Sequence, residues 1–212
     1  MTGSIHKAAF QAEQPPPAEA ITTDPTARLE AMYRRIWANS MRDLPFVNPA
    51  LSVEAVGFRR WQSVGALRLA TASSPVDQSE LIDRPLLSAS GDWLGTVITP
   101  WFVNLFLVPG GGNLWSDRRP GERCHVQFPI GPLEFIADHD ASAEIPSYQY
   151  CALFAPPGQF TSQAAARAAA VAALTTLLAT APPVEARVQP APSSAVKPGT
   201  SRRAFFRRIA RG

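Results

Sequence analysis

The sequence predicts an α+β fold, with an N-terminal helix, a mostly antiparallel sheet and a C-terminal helix between disordered N- and C-terminal tails. Apolar residues recur at helical spacing near the start of the chain, and an alanine-rich run lies near its end. Between them, short apolar stretches are separated by proline and glycine, which is typical of antiparallel strands. We expect a disordered segment at 1–23, a folded domain at 24–181, and a Pro/Ala-rich linker with a basic tail at 182–212.

The first helix is predicted to begin after Asp24 and to end near Met41. Asp24 can accept hydrogen bonds from the first free N–H groups, and Pro25 suits the first helical position. Pro45 bounds the segment. The apolar stripe of this helix consists of Leu29, Met32, Tyr33, Ile36 and Trp37.

The sheet is predicted from a series of apolar segments. Residues 51–58 alternate between apolar and polar types, the period of a half-buried strand, and 64–70 is a second candidate. Residues 71–92 are expected to be mostly loop. Residues 94–108 are rich in β-branched and aromatic types, but Pro100 must lie at an edge or bulge because it cannot donate to the ladder. Three shorter candidates lie around Val126, around Phe135 and from Tyr148 to Phe154.

The second helix is predicted to begin near Thr161 or Ser162, either of which can cap it, and to stop at Pro182-Pro183. Alanine, the strongest helix former, fills most of the run. The positions predicted to form its inner stripe are Phe160, Ala164, Ala168, Val171, Leu174 and Leu178.

The charge distribution argues against a general nucleic-acid-binding domain. The chain has 212 residues and a formal net charge of +3. Residues 197–212 hold Lys197 and five arginines without an acid, a net charge of +6, so the rest of the chain is close to neutral. We find no apolar stretch that fits a secretory signal and none of the roughly 20 residues that a membrane span requires. We therefore expect a soluble cytoplasmic protein that binds no nucleic acid.

Metal and cofactor motifs are absent from the sequence. Cys124 and Cys151 are isolated, and His125 would lie on the opposite face of a strand from Cys124. We interpret both cysteines as buried apolar residues and expect no metal or cofactor. The run Gly110-Gly111-Gly112 begins like a dinucleotide fingerprint, but Trp115 occupies the third glycine position, so we interpret it as a flexible turn.

Candidate acid–base residues cluster in one segment. Glu134, Asp138, Asp140 and Glu144 accompany His139 there, and we interpret this segment as a polar loop between two strands. No nucleophile, base and orienting group occur together in the sequence. A binding or structural protein is therefore favoured over an enzyme.

Two features point to a binding function. The first is the apolar cluster Thr99–Leu105, which contains Pro100, Trp101, Phe102 and Asn104. Part of this cluster is expected to be ordinary core. A proline-bent edge would present Trp101 or Phe102 as an anchor, because tryptophan is enriched at binding hot spots.

The second feature is the tail, which contains Ser-Arg-Arg-Ala-Phe-Phe-Arg at 201–207. This spelling is close to the twin-arginine export consensus. Only five residues follow it, so we expect that it cannot act as an export signal. The alternative is a solvated basic tail whose match to this consensus is coincidental.

Four blocks of the sequence resemble the HybE-type nickel–iron hydrogenase assembly chaperones, over about residues 28–181. The Thr-Pro-Trp block is the most specific, and the arginine–phenylalanine tail is also similar. The blocks are Asn48–Phe58; Leu94-Gly95 with Thr99–Leu105, Leu107–Pro109 and Trp115; Phe128–Gly131 with Phe135; and Tyr150–Pro156 with Phe160.

This chain departs from the family in three respects. Ala152 and Ala155 stand where serines are common in the family, and the stretch 63–91 is longer than expected. Some relatives carry a rubredoxin module with four metal-binding cysteines, which this chain lacks, so iron binding is not transferred. With alanine at both positions, this chain lacks the hydroxyls for any partner contact that uses them.

The resemblance implies a non-catalytic chaperone that holds an immature hydrogenase subunit until cofactor insertion and pairing are complete. The implied client is the small subunit with its twin-arginine signal, and the large subunit is a second candidate. Other maturation proteins are implied as further partners. Two alternatives remain: a basic-tailed adaptor that docks on an anionic membrane surface or nucleic acid, and a small hydrolase or isomerase. The residues predicted to bind the partner are Pro100, Trp101, Phe102, Asn104, Tyr150, Phe154, Arg202, Arg203, Phe205 and Phe206.

Overall fold

A computed structural model describes residues 14–62 and 91–179 of the chain. Within these residues, one antiparallel sheet of six strands lies between two helices, which confirms the predicted α+β class. The elements in chain order are α1 (Thr26–Ile36), a π-helical turn (Trp37–Met41), β1 (Glu54–Trp61), β2 (Asp92–Ile98), β3 (Val103–Val108), β4 (Arg123–Phe128), β5 (Gly131–His139), β6 (Ser147–Phe154) and α2 (Gln163–Leu178).

The strand order is β1-β2-β3-β6-β5-β4, and every neighbouring pair is antiparallel. β2, β3 and β6 are central strands, and every residue of β2 and β3 is buried. β4 alternates between exposed and buried residues, as expected for a strand with one covered face. Neither helix in residues 14–62 and 91–179 is long and apolar enough to cross a membrane. The predicted strand at 64–70 lies outside the described residues.

Two hydrophobic cores cover the two faces of the sheet. The core on the α2 side combines Leu94, Leu105 and Phe135 with the inner residues of α2. The core on the α1 side combines Leu29 and Met32 of α1 with other residues of the sheet. Because side chains alternate along a strand, neighbouring residues of β3 belong to different cores.

The beginning of each helix is capped as the sequence predicts. Asp24 Oδ1 accepts a hydrogen bond from the Thr26 N–H at 2.8 Å, and Ser162 Oγ accepts one from the Ala165 N–H at 3.2 Å. α1 ends at Ile36, and the π-helical turn continues the helical segment to Met41. The first helix was expected to end near this residue.

Three side chains of α1 bind neighbouring segments: Glu30, Arg35 and Arg28, the last of which donates to the Glu144 carbonyl. Glu30 Oε1 accepts a hydrogen bond from the Ala55 N–H of β1 at 3.0 Å. Arg35 forms a two-point ion pair with Glu144, in the loop between β5 and β6. The helix is therefore fixed to edge strand β1 and to the loop between β5 and β6.

The predicted position of Pro100 was wrong. Pro100 lies in the tight turn that joins β2 to β3, and it is buried at the end of two central strands. The continuous apolar run at 94–108 contains two strands and a hairpin. Proline needs no ladder partner in the turn, so the steric rule is satisfied without an edge or a bulge.

The predicted inner stripe of α2 was wrong at three positions, where Ala164, Ala168 and Val171 are exposed. Alanine surrounds the helix axis, so apolar periodicity does not define its inner face. Gly57 of β1 contributes to which face of α2 is buried, because a Cβ at this position would lie 2.8 Å from Leu174 Cδ1. The residues that bury against the sheet are Ala166, Ala170, Ala173, Leu174 and Leu177.

Candidate partner-binding site

The turn between β2 and β3 is organised by the Thr99 hydroxyl. Thr99 Oγ1 accepts hydrogen bonds from the N–H groups of Trp101 at 3.3 Å and Phe102 at 3.0 Å. The same hydroxyl donates to the Phe102 carbonyl at 3.1 Å, and the Thr99 N–H donates to that carbonyl at 2.8 Å. The turn is therefore held from within, and the two aromatic side chains leave it in fixed directions.

Asn48 joins this turn to the loop that follows β6. Its N–H donates to the Pro100 carbonyl at 2.6 Å. Its Nδ2 donates to the carbonyls of Pro157 at 3.1 Å and Phe160 at 2.8 Å, and its Oδ1 accepts from the Ala50 N–H at 3.0 Å. Three segments that are far apart in the sequence therefore meet at one residue, through its backbone N–H and its side chain.

The rings at the turn form a partly exposed aromatic surface, the aromatic turn, which consists of Trp37, Trp101 and Phe102. Trp101 stacks on Trp37 with 6.0 Å between ring centroids and an interplanar angle of 8°. Phe102 meets Tyr33 edge-on at 5.3 Å and 89°. Each of the three rings retains some exposure to solvent, so the surface is available for contact without unfolding.

A cleft of about 220 Å³ adjoins the aromatic turn on the α1 face of the sheet. Tyr33 OH donates a hydrogen bond to Tyr148 OH at 3.3 Å, and Tyr148 OH donates to Asp138 Oδ2 at 2.8 Å. We call this the tyrosine cleft. Its lining residues are Tyr33, Phe102, Asn104, Asp138, Tyr148 and Tyr150.

Burial raises the pKa of Tyr33, Tyr148 and Tyr150 above the ordinary value of a phenol. The negative charge of Asp138 raises all three pKa values further, because a second negative charge nearby is unfavourable. The phenols are therefore neutral at physiological pH. The formal charge of the cleft is that of Asp138.

Comparisons with known proteins identify the family. The family model described as NiFe-hydrogenase assembly, chaperone, HybE matches residues 24–208. A hydrogenase expression/formation protein, HupJ, from Bradyrhizobium diazoefficiens is 33% identical over 74% of this chain and 74% of its own length. The protein HoxT from Cupriavidus necator is 34% identical over 76% of this chain and 79% of its own length.

The chain belongs to the HybE family. This is a family of hydrogenase assembly chaperones and is not a catalytic family. Among solved structures, one described as the solution structure of HybE from Escherichia coli matches with a TM-score of 0.49 and 21% identity, covering 90% of this chain and 96% of that chain.

One HybE-family relative, from Rhodobacter capsulatus, carries the name probable rubredoxin HupJ. It is 33% identical over 74% of this chain, and the chain spans about half of its length, 48%. In the part of this chain that the structure describes, no group of three or more His, Cys, Asp or Glu residues could hold a metal ion. Cys124 Sγ donates to Gln149 Oε1 at 3.4 Å, and burial raises the pKa of this thiol. Both cysteines are buried, as expected.

The structure brings four of the ten predicted binding residues of this HybE-family chain together on one face, but it separates Phe154 from the cleft. Phe102, Asn104 and Tyr150 line the cleft, and Trp101 lies beside it in the aromatic turn. Phe154 packs instead against Phe160, with 4.9 Å between ring centroids. The four predicted tail residues, Arg202, Arg203, Phe205 and Phe206, lie outside the described residues.

The acidic segment contains structural partners. Glu144 is paired with Arg35, and the hydrogen bonds from that guanidinium lower the pKa of Glu144. Glu134 Oε1 accepts from Arg123 at 2.5 Å across β4 and β5. Glu134, Asp138 and His139 lie on β5, so it was wrong to place them in a loop. Asp138 lines the tyrosine cleft.

Asp92 is a buried structural residue that we did not predict. Its carboxylate accepts four backbone N–H hydrogen bonds, at 2.8 to 3.0 Å, from Gly110, Gly112, Leu114 and Trp115. A Cβ on Gly112 would lie 2.4 Å from the Asp92 N, so glycine is required there. The glycine run is thus an ordered cradle around a carboxylate. Its sequence signal is a lone acid before an apolar strand, followed about twenty residues later by consecutive glycines.

Proposed function

We propose that this protein holds the immature small subunit of a nickel–iron hydrogenase, the subunit with the twin-arginine signal, until cofactor insertion and pairing with the large subunit. Such a client is held before export, so we place the protein in the cytoplasm. Large-subunit binding and contacts with other maturation proteins belong to the same proposal.

The observation that carries this proposal is the partly exposed aromatic turn beside the tyrosine cleft, in a member of the HybE family. Aromatic rings dominate binding energy at protein interfaces, and rings held in fixed positions lose little conformational entropy when a partner binds. An assembly chaperone must cover apolar client surface that would otherwise aggregate. It must also release the client, which a small aromatic surface allows.

The direct test is co-purification of the tagged full-length protein with each hydrogenase subunit expressed separately. We expect the small-subunit precursor to be retained, and the same subunit without its signal to be retained less. The large subunit alone serves as the comparison. Retention of the large subunit and not the small one would contradict the choice of client, and retention of neither would contradict the proposed function.

A second test separates assembly from export. A strain that lacks this protein should accumulate small subunit that is unpaired with the large subunit, and hydrogenase activity should be restored by the full-length chain. Normal pairing in the absence of the protein would contradict a chaperone role. A fully paired but unexported complex would point to a role after assembly.

A further inference from the structure

Among the described residues, the tyrosine cleft contains one buried hydrogen-bond acceptor without a partner, Asn104 Oδ1, and one carboxylate without an ion pair, that of Asp138. Among the residues that the structure describes, none donates a hydrogen bond to Asn104 Oδ1, although Asn104 is 95% buried, with 5% exposure. Buried polar groups are nearly always paired, so this amide oxygen requires an explanation. Asp138, at the exposed end, forms no ion pair within the described residues and accepts only neutral donors, Tyr148 OH and the His139 N–H.

The strand register shows that the two acceptors lie at opposite ends of the cleft. Asn104 of β3 is paired with Ala152 of β6, and Asp138 of β5 is paired with Tyr148 of β6. Four residues along a strand correspond to about 14 Å, and two strand spacings to about 10 Å. A single planar group cannot reach both acceptors, so an occupant must be a segment with several donors.

The chemistry of the cleft favours a guanidinium among those donors. Four of the lining residues are aromatic, and Asp138 provides a carboxylate that forms no ion pair within the described residues. A guanidinium has five N–H donors in a planar fork, stacks on aromatic faces and is more weakly hydrated than an ammonium group. Arg123 could compete with a bound guanidinium for Asp138, but it already forms an ion pair with Glu134.

We propose that the tyrosine cleft binds an arginine-bearing extended segment of the client subunit, with a guanidinium at Asp138 and a further donor of the same segment at Asn104. This inference rests on the proposed function for the identity of the client. It adds the binding site, the chemistry that the site selects and the two residues that select it.

The test uses the full-length protein and a capped peptide with the sequence of residues 201–206, Ser-Arg-Arg-Ala-Phe-Phe, as the probe. Binding is measured by calorimetry at low ionic strength. We expect the arginine peptide to bind about tenfold more tightly than its Lys-Lys counterpart, because the ammonium group keeps the charge and loses the fork. Equal affinities would overturn guanidinium selection.

Two variants locate the site. Asp138→Asn keeps an acceptor for Tyr148 OH and removes the charge, and Asn104→Leu removes the open acceptor. Each variant should lower the affinity for the arginine peptide about tenfold, which is the scale of one hydrogen bond to a charged group. The control is Glu19→Gln, which removes an equal charge from an exposed residue of the N-terminal segment and should leave binding unchanged.

Stability measurements distinguish a binding role for Asn104 from a structural one. Because its oxygen has no partner in the free chain, Asn104→Leu should melt at the same temperature as the wild type or higher. Unchanged peptide binding by both cleft variants would overturn the proposal. Weaker binding by Asn104→Leu accompanied by an equal loss of stability would also count against it.

The chain's own tail is the competing occupant. In the full-length Arg202→Lys/Arg203→Lys protein, we expect the peptide affinity to equal that of the wild type. Tighter peptide binding in that variant would assign the cleft to the tail and overturn the client as occupant. If both cleft variants retain the whole client subunit as well as the wild type does, this inference fails while the proposed function stands. If neither the wild type nor the variants retain the client, the proposed function fails.

Discussion

Replacement of Trp101 by alanine separates a binding role from a packing role at the aromatic turn. The Trp101 ring stacks on Trp37 and makes an edge contact with Phe102 at 5.5 Å. It is held by the turn backbone and remains partly exposed. A ring in this position can stabilise the fold, bind a partner, or do both.

The expected loss of stability is smaller than that of a core substitution. Truncation of a fully buried Phe or Trp costs about 3–5 kcal/mol, and an aromatic pair contributes about 0.5–1.5 kcal/mol beyond its area. Since Trp101 is only partly buried, we expect a loss of about 2 kcal/mol. In proteins of this size, Tm falls by about 2–4 °C for each kcal/mol of lost unfolding free energy. The variant should therefore remain folded, with Tm lowered by roughly 4–8 °C.

The expected effect on client binding is larger than stability explains. A hot-spot aromatic contributes about 2 kcal/mol or more, which corresponds to roughly a thirtyfold increase in Kd. Client affinity is measured well below Tm, with folding checked by circular dichroism. Phe102→Ala, measured in the same way, should show the same direction of change.

Trp61→Ala provides a matched control on the opposite face of the sheet. Trp61 is also partly buried and stacks on Phe128 at 5.5 Å. It should lose similar stability and retain full affinity for the client. Equal affinities for Trp101→Ala and wild type would refute the interface, and unfolding of both Trp101→Ala and Phe102→Ala would show that these rings are core.

Four further predictions follow from single features of the chain. Asp92→Ala should lower the free energy of unfolding by at least about 3 kcal/mol, measured with urea, because four buried N–H groups lose their acceptor; a loss below 1 kcal/mol would show that water replaces the carboxylate. Asn48→Ala removes three side-chain hydrogen bonds and should cost about 2–3 kcal/mol in the same assay. The purified protein should contain no stoichiometric iron, zinc or nickel, and one equivalent by elemental analysis would contradict this. Arg202→Lys/Arg203→Lys keeps the charge of the tail and should impair hydrogenase maturation or export in vivo; unchanged activity would leave a solvated basic tail, and lost binding to anionic vesicles on tail deletion would support an adaptor role.

The elements with a strong local signal were predicted well. α1 has large apolar residues on one face, a capping aspartate and a bounding proline, so its position follows from the sequence. α2 has a clear cap and equally clear helix formers. Its orientation was mispredicted because alanine on every side leaves the inner face to be chosen by the sheet, where Gly57 makes room for Leu174.

The hairpin at 99–102 was missed because its turn lacks the usual glycine or asparagine. The Thr99 hydroxyl satisfies the turn N–H groups, so an apolar sequence can reverse direction without a polar break. The cradle around Asp92 depends on a contact over some twenty residues. Such pairings come from the tertiary structure, and composition alone gives only a weak signal for them.

The tyrosine cleft could not be predicted because it depends on strand register. Tyr33 comes from α1, and the other lining residues come from the turn and three strands that are adjacent only in the order β3-β6-β5. A shift of one residue in any pairing would move Asn104 or Asp138 to the opposite face. The sequence could therefore indicate that Asn104 and Tyr150 matter, through the resemblance, without indicating what they form.

The position of Asn48 explains why blocks that are far apart in the sequence act together. Its hydrogen bonds fix the Pro100 carbonyl from outside the turn, while Thr99 holds the turn from inside. Trp101 and Phe102 are therefore ordered before a partner arrives, and binding does not have to order them. A small preorganised surface gives selectivity with modest affinity, which is what a chaperone needs if the assembled hydrogenase is to leave it. The family-like blocks thus contain residues that position the aromatic turn, such as Asn48 and Thr99, as well as the aromatic residues themselves.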